Sequence, residues 1–212
     1  MKLYTFFRSS AAFRVRIALN LKGLQYESIP RVFAKHEHRS AEYLAMNPQG
    51  LIPALDTDGA VLSQTLAIIE YLNEQYPTPA LLPTNAIARA QVRSMAMAVA
   101  CDIHPLDNLR VLNYLRKELK QDDNGIAVWY RHWITEGFKG LEQQALRHST
   151  GGRFCYGDEA SLADICLLPQ IFNARRFETD LSAFPTLLGI SQHLESLPAF
   201  AAARPEVQPD AV

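Results

Sequence analysis

Three prolines within residues 77–83 divide this 212-residue chain into two parts with different patterns. Proline lacks a backbone N–H and disfavours helix in the residue before it, so this segment ends any preceding helix and stiffens the connection. Before it, short apolar runs alternate with amphipathic runs, whereas beyond residue 84 the pattern is helical throughout. We therefore expect a mixed α/β domain over 1–77, a linker over 78–85 and an all-α domain over 86–212.

The first part predicts alternating strands and helices. Their order is a strand near 3–7, a helix near 11–21, a strand over 26–30, a short helix over 41–46, a hairpin of 54–57 with 60–62, and a helix over 65–76. Asp58 and Gly59 supply the hairpin turn, because both residue types suit tight turns. A βαβ unit followed by a ββα unit is the thioredoxin-like arrangement.

The second part predicts helices only. A long helix over 86–117 should be kinked at His104-Pro105, because proline removes an amide and clashes with the preceding turn. Another helix is expected over 126–147, and short closing helices over 185–197 and 199–203. Ser161 and Asp164 match a helix capping start, with Asp in place of the usual Glu. The apolar run 165–174 that follows is expected to be the buried central helix.

Composition excludes several classes of partner. The formal net charge is -1, with 48% hydrophobic and 20% charged residues. This balance gives no bulk electrostatic attraction to nucleic acid or to an anionic membrane. No apolar stretch is long enough to span a bilayer. The first strand follows directly on Met1 and Lys2, which leaves no room for a signal peptide, so we expect a cytoplasmic protein.

Cysteine and histidine usage predicts neither a disulfide framework nor a metal site. Cys101, Cys155 and Cys166 are odd in number and lack CxxC spacing, so we expect small buried hydrophobic side chains in a reducing compartment. His36 and His38 resemble a metal-binding fragment, but two histidines without further ligands favour a solvated loop.

The turn at Ser9 and Ser10 is the first candidate site. It lies between the first strand and the first helix, where unpaired N–H groups and the positive end of the helix dipole favour an anion. A hydroxyl there can hold a thiolate as well as a carboxylate. Arg8 precedes the turn and a pair of arginines follows it, which supports a binding site. An ordinary serine N-cap is the alternative.

Several segments together carry a family resemblance. They are 9–10, 14–16, 47–50, 52–55, 62–72 and 102–112. In this order, and in a chain of this length, they resemble the zeta class of glutathione transferases, which includes maleylacetoacetate isomerase and the glutathione-dependent maleylpyruvate isomerase. The resemblance runs nearly end to end. It implies the glutathione transferase fold (a thioredoxin-like α/β domain followed by an all-α domain), glutathione as cofactor, a small dicarboxylate substrate and a homodimer.

The resemblance assigns catalysis to the serine turn. Isomerisation of a maleyl compound needs a soft nucleophile that adds to the alkene and leaves again, and a thiolate meets this need. Zeta enzymes commonly have a cysteine after the serine pair, and Ala11 stands there in this chain. External glutathione is therefore the implied nucleophile. Ser9 is the first choice to stabilise its thiolate, with Ser10 close behind.

The resemblance also assigns glutathione contacts in the first part. Pro53 matches the family's cis-proline, and the backbone of Ile52 would meet the cysteinyl part, although a trans-proline that begins a strand is the alternative. Gln64 and Thr65 would receive the γ-glutamyl carboxylate at a helix N-terminus. Thr65 could instead be only a helix cap. Gln49 completes this group.

Further candidates lie in loops and in the helical part. His38 matches a glutathione-contacting loop position. His104 and Asn108 are four residues apart and are expected to share a helix face, which in the family lines the glutathione cleft. Asp102 and Arg110 flank them.

Two arginines are the candidates for the substrate. The maleyl substrates are dianions, and arginine binds carboxylates in a fixed geometry. Arg8 and Arg176 are chosen over Arg175, with surface ion pairs as the alternative for the pair 175–176.

The first hypothesis is thus conversion of maleylacetoacetate to fumarylacetoacetate in aromatic amino-acid breakdown. Maleylpyruvate isomerisation is the near alternative, since both substrates share the maleyl end. General glutathione conjugation or dehalogenation is a second enzyme class. A non-catalytic interaction module is a third class. The serine turn, Gln64 with Thr65, and the arginines argue against it, because an interaction module would not need them together. The long helix near 86–117 carries Met95, Met97, Val99 and Cys101 with little charge, which predicts either a dimer interface or internal core.

Overall fold

The structure is a computed structural model that describes residues 1–211. Its contacts divide the chain into two compact units. The first holds residues 1–80 and the C-terminal segment from Ser196, and the second holds Leu81–Glu195. Of the helices in the described part, none is both long and apolar enough to cross a membrane.

The first unit is built on a mixed four-stranded sheet. Its strands are β1 (Lys2–Thr5), β2 (Glu27–Pro30), β3 (Ala54–Thr57) and β4 (Ala60–Ser63), in the spatial order β2-β1-β3-β4. β1 is parallel to β2 and antiparallel to β3, and β3 forms the predicted hairpin with β4. Leu3 and Leu55 face each other in register and are fully buried. The thioredoxin-like arrangement is confirmed.

Nine α-helices lie within the described part of the chain. They are α1 (Ser10–Leu21), α2 (Ala41–Met46), α3 (Thr65–Gln75), α4 (Ala86–Met97), α5 (Leu109–Lys117), α6 (Asp123–His148), α7 (Leu162–Arg176), α8 (Pro185–Ser196) and α9 (Pro198–Ala201). Short 3₁₀ turns occupy Phe33–Lys35, Glu37–Arg39 and Pro205–Val207, and a π-helical segment, Ala98–Ile103, continues α4.

The C-terminal segment differs from the predicted domain division. The prediction placed all of 86–212 in the helical domain, but the segment from Ser196 packs with the first unit. The guanidinium of Arg16 donates to the Ala203 carbonyl at 3.0 Å, and Asn20 donates to the Ala199 carbonyl at 2.9 Å. The Asp210 carboxylate accepts the Phe7 N–H at 2.8 Å. These bonds satisfy buried polar groups of the first unit, which holds the segment there.

The predicted linker is anchored by a lysine. The ammonium of Lys22 donates to the Tyr76 carbonyl at 2.6 Å, to Asn73 Oδ1 at 3.2 Å and to the Pro79 carbonyl. Burial lowers the pKa of Lys22. One side chain thus satisfies carbonyls at the end of α3, where the helix leaves its own carbonyls unpaired.

The predicted long helix 86–117 is broken rather than kinked. Helix α4 passes into the π-helical segment, residues 104–108 form turns, and α5 begins afresh at Leu109. Pro105 cannot donate an N–H into a continuing helix. Asn108 caps the new helix, because its side-chain oxygen accepts the Arg110 N–H at 3.1 Å.

Helix α7 is the buried centre of the second unit, as predicted. Its apolar side chains include Ile165, Cys166 and Ile171, all fully buried. Ser161 and Asp164 form the predicted capping box at its start. The start of α8 is satisfied by a neighbour that sequence alone did not indicate. Glu142 accepts the N–H groups of Thr186 and Leu187 at 2.9 and 3.0 Å.

Candidate active site

The serine turn lies at the start of α1. Ser9 is the N-cap, and its hydroxyl accepts the Ala12 N–H at 3.2 Å. Ser9 is half-buried, whereas Ser10 is 6% exposed. A serine hydroxyl accepts and donates at once, so the capping role leaves its proton available to a thiolate. Exposure favours Ser9 over Ser10 as the group that meets an external ligand.

The two arginines that follow the turn do not form part of an anion site. Arg14 and Arg16 are each 1% exposed. Arg16 donates to the carbonyls of Phe7 and Ala203, both at 3.0 Å, and burial lowers its pKa to about 10. This residue is a buried structural cation. Arg8, by contrast, is exposed, with its guanidinium 5.6 Å from the centre of the Phe7 ring.

The Ile52–Pro53 peptide bond is cis, as the resemblance predicted. Ile52 is 8% exposed. The loop before it is fixed by two side chains, since the Tyr43 hydroxyl and the Asn47 amide donate to the Leu51 carbonyl at 2.7 and 2.8 Å. The backbone of Ile52 is thereby held in place beside the sheet.

Gln49 and Gln64 are brought together. The Gln64 amide donates to Gln49 Oε1 at 2.8 Å. Gln64 is the N-cap residue of α3 at φ 68°, and no described side chain caps this helix. Thr65 is the first helical residue and is 9% exposed, so the alternative of Thr65 as the cap is wrong. The helix start therefore keeps its N–H groups for an anion.

His38 lies in the short turn before α2. Its ring packs on Phe33, with 4.3 Å between ring centres. Burial is the main cause that lowers its pKa, and the charges of Arg39 and His36 add to it. The ring is therefore mostly neutral near pH 7, which makes it a hydrogen-bonding candidate and not a cation. Within the described residues, no group of three potential ligands for a metal ion includes it.

The candidates of the second unit lie around the break after α4. Asp102 is exposed and His104 is half-buried. The expectation that His104 and Asn108 share a helix face is wrong, because turns separate them and Asn108 caps α5. Arg110 is exposed in the first turn of α5.

One residue of this segment was missed from sequence. Asp107 is 5% exposed, and neither carboxylate oxygen has a hydrogen-bond partner among the described residues. Burial raises its pKa to about 8. A carboxyl group in this state is protonated near neutral pH. Its only signal in the sequence was its position, after the apolar residues Pro105 and Leu106 and before Asn108.

Arg175 and Arg176 end α7, and both are exposed. Arg175 pairs with Glu195 and also contacts the Ser191 hydroxyl at 3.4 Å. Arg176 lies 5.8 Å from the centre of the Phe177 ring. This ion pair holds Arg175, and the substrate role of Arg176 stays a prediction.

The cysteines differ from expectation in one case. Cys155 and Cys166 are buried, as predicted, and burial raises the pKa of the Cys155 thiol. Cys101 is exposed, so it is not the small buried hydrophobic residue that we expected.

Residues 8–75 match the family of glutathione S-transferase N-terminal domains. The chain is 51% identical over 211 residues to the probable maleylacetoacetate isomerase of Vibrio cholerae. These aligned residues cover 99% of this chain and 97% of the relative.

Solved structures show the same likeness. The holo structure of maleyl pyruvate isomerase, a bacterial zeta-class glutathione S-transferase, is 47% identical with a TM-score of 0.98 and full coverage of both chains. The maleylacetoacetate isomerase of Methylobacterium extorquens AM1, crystallised with malonate and glutathione bound, is 42% identical with a TM-score of 0.95, again over 100% of both chains.

Proposed function

The chain belongs to the zeta-class glutathione transferases, the family of the maleylacetoacetate and maleylpyruvate isomerases, and on this basis we propose that it converts maleylacetoacetate to fumarylacetoacetate. The observation that carries the proposal is 51% identity over 99% of the chain to a probable maleylacetoacetate isomerase. Maleylpyruvate is the second candidate substrate, because the structure of this chain matches that of a maleylpyruvate isomerase with a TM-score of 0.98.

The residues of the first unit fit glutathione as the cofactor. The start of α3 has no side-chain cap, so its N–H groups are available to the γ-glutamyl carboxylate. Gln49 and Gln64 lie beside it, and Ile52 precedes the cis-proline. When bound, glutathione supplies a thiolate that adds reversibly to the conjugated alkene and so permits rotation about the former double bond.

The chain's own residues prepare this chemistry. We assign the hydroxyl of Ser9 to donate a hydrogen bond to the sulfur, which favours the thiolate over the thiol. Ala11 leaves the turn without a thiol of its own. His38, Asp102, His104, Asn108 and Arg110 stay proposed contacts of the tripeptide.

Arginine is proposed to hold the substrate's carboxylates. Arg8 lies in the turn between β1 and α1, next to Ser9 in the chain, and its exposed guanidinium is suited to a carboxylate near the reacting carbon. Arg176 is assigned to the other carboxylate. Fixing both ends of a dianion limits motion of the alkene and raises the rate of addition.

We also propose a cytoplasmic homodimer. Met95 and Val99 are each 1% exposed and belong to the core, so the dimer argument does not rest on them. The opposite face of α4 and its extension carries exposed Ile87, Met97 and Cys101. Such an uncharged stripe suits an isologous interface. Sedimentation should give twice the monomer mass, and a monomer at every concentration would refute the dimer.

The decisive experiment assays maleylacetoacetate, maleylpyruvate and a neutral conjugation substrate, each with and without glutathione. We expect both maleyl compounds to be isomerised only when glutathione is present, with the higher kcat/KM for maleylacetoacetate and no net consumption of glutathione. Full turnover by protein stripped of glutathione would contradict the mechanism. Activity on the conjugation substrate alone would identify a general transferase instead.

A matched pair of variants tests the carboxylate assignment. Arg176→Ala should raise KM for the maleyl substrate about tenfold, because a charge-assisted hydrogen bond is lost, and should leave KM for glutathione unchanged. Arg175→Ala, the control, removes a surface ion pair and should have little effect on either. Equal losses on maleyl and neutral substrates would show that Arg176 is structural.

A further inference from the structure

The start of α3 is connected to an arginine through a short series of hydrogen bonds. Gln64 donates to Gln49 Oε1 at 2.8 Å, and the backbone carbonyl of Gln49 accepts from Arg39 Nη1 at 3.3 Å. The three residues come from different local elements, namely the turn Glu37–Arg39, the loop before the cis-proline, and the N-cap of α3. We propose that Arg39 is a positioning residue for glutathione, which acts by fixing Gln49. This inference rests on the proposed function.

Gly50 makes room for this contact. Its backbone has φ 58°, a conformation that favours glycine. A Cβ atom at this position would lie 2.8 Å from Arg39 Nη1 and 3.0 Å from the His38 carbonyl. The loop thus brings the Arg39 guanidinium against the Gln49 carbonyl. Any side chain at position 50 would push the guanidinium away and lengthen this hydrogen bond.

The direction of the hydrogen bonds defines what the pair of glutamines offers to a ligand. Gln49 uses its oxygen to accept from Gln64, so its amide N–H groups stay available as donors. Gln64 uses its amide, so its oxygen stays available as an acceptor. A donor and an acceptor beside an open helix N-terminus complement an amino-acid head group, with its carboxylate and ammonium.

Arg39 itself has no ion pair among the described residues, and its guanidinium donates to the Gln49 carbonyl. The same peptide plane carries the Gly50 N–H, which donates to the Asn47 carbonyl at 2.8 Å. Loss of the guanidinium therefore removes one of two hydrogen bonds that fix this plane, and the side chain of Gln49 is held less firmly against Gln64. The expected consequence is weaker binding of glutathione with unchanged chemistry once glutathione saturates the site.

The test compares Arg39→Met with Lys35→Met. Lys35 is an exposed cation in the preceding turn, so its substitution removes the same charge without touching Gln49. We expect Arg39→Met to raise KM for glutathione about tenfold, with kcat and KM for the maleyl substrate unchanged, while Lys35→Met matches the wild type. Arg39→Lys should recover part of the loss, since an ammonium also donates to a carbonyl. Gly50→Ala should reproduce the loss.

Two outcomes would overturn the proposal. One is an unchanged KM for glutathione in Arg39→Met. The other appears with the glycyl ethyl ester of glutathione, whose glycyl carboxylate is blocked. Positioning through Gln49 predicts equal losses for glutathione and the ester, whereas a loss confined to free glutathione would show that Arg39 binds the glycyl carboxylate directly.

Calorimetry with S-methylglutathione separates this proposal from the proposed function. This probe binds without supplying a thiolate, so its affinity reports on the site alone. A tenfold weaker affinity in Arg39→Met, in protein that isomerises neither maleyl compound, would support the positioning role and reject the isomerase. An unchanged affinity of Arg39→Met for S-methylglutathione, in protein that isomerises a maleyl compound, would reject the positioning role and support the isomerase.

Discussion

Helices α7 and α3 begin in opposite ways. At α7 the Asp164 carboxylate, which is fully buried, accepts from Cys155 N, Ser161 N and Ser161 Oγ at 2.7, 2.8 and 2.8 Å. At α3 the N-cap residue Gln64 has φ 68° and caps nothing. At the start of α7, the chain's own carboxylate satisfies the nearby N–H and O–H donors, which stabilises the fold. The start of α3 leaves its N–H groups open and keeps a strained residue, which is typical of a binding site.

The start of α1 lies between these two cases. Ser9 caps its helix, yet the residue is half-buried and its hydroxyl proton can serve a ligand. The three starts therefore predict different responses to substitution, from a purely structural loss at α7 to a loss of binding at α3.

The largest effect is expected at α7. Asp164→Ala removes the acceptor of three hydrogen bonds and leaves buried N–H groups unsatisfied, so the free energy of unfolding should fall by about 3–5 kcal/mol. Urea denaturation measures it. Asp180→Ala is the control, because Asp180 also accepts a backbone N–H, that of Ser182, but is exposed. If the urea midpoint of Asp180→Ala fell as far as that of Asp164→Ala, the buried carboxylate would be no more important for stability than the exposed one.

Asp107 sharpens the comparison, because it is a buried aspartate without such donors. Its pKa is raised from 3.8 to about 8, so between these values the folded protein holds a proton that the unfolded chain has lost. Stability must then fall as pH rises, by about 3 kcal/mol between pH 5 and pH 7.

Asp107→Asn, a neutral side chain of the same shape, should remove this dependence and stabilise the protein at pH 7. Unfolding free energies of both proteins at several pH values measure the slope. Asp102→Asn is the matched control, since Asp102 is exposed. Identical slopes for wild type and Asp107→Asn would show that Asp107 is ionised in the folded state.

At α1 the expected effect is on catalysis. Ser9→Ala should lower the isomerisation rate on the order of tenfold to a hundredfold, because a hydrogen bond to a charged sulfur is worth roughly 1.5–3 kcal/mol. Loss of the cap should reduce stability by only about 1 kcal/mol. Ser10→Ala, at a buried position, should retain activity. An active Ser9→Ala with an inactive Ser10→Ala would reverse the assignment.

These regions also show what could be predicted from sequence. Features with a local signal were predicted, because the residues that cause them are neighbours in the chain. The capping box at Ser161 and the hairpin at Gly59 belong to this group. The serine turn was placed correctly at a helix start for the same reason. The cis bond before Pro53 was instead implied by the family resemblance, because the local residues alone allow a trans-proline as well.

Features that depend on distant residues were not predicted. The C-terminal segment packs with the first unit through bonds such as Arg16 to Ala203, which are 187 residues apart. The break after α4 needed more than Pro105, since a proline alone indicates a kink. The positive φ of Gln64 has no local signal, because glutamine is not typical of that conformation. Its partner Gln49 lies 15 residues away.

The smallest effect is expected at α3, and there the sign should be the opposite of that at α7. Gln64→Gly relieves the strain at φ 68°, which costs of order 1–2 kcal/mol, but the added freedom of glycine in the unfolded chain offsets part of the gain. Gln64→Ala keeps the strain and loses the same side chain. We therefore expect Gln64→Gly to be more stable than Gln64→Ala by about 1 kcal/mol in urea denaturation.

The same two variants should bind glutathione equally weakly, because both lack the amide that meets Gln49. Calorimetry with S-methylglutathione measures this loss, expected to be about tenfold. The two variants would then differ in stability but not in binding, which a purely structural N-cap does not predict. If Gln64→Ala proved as stable as Gln64→Gly, the backbone at position 64 would carry no strain. The contrast with α7 would then reduce to the absence of a cap.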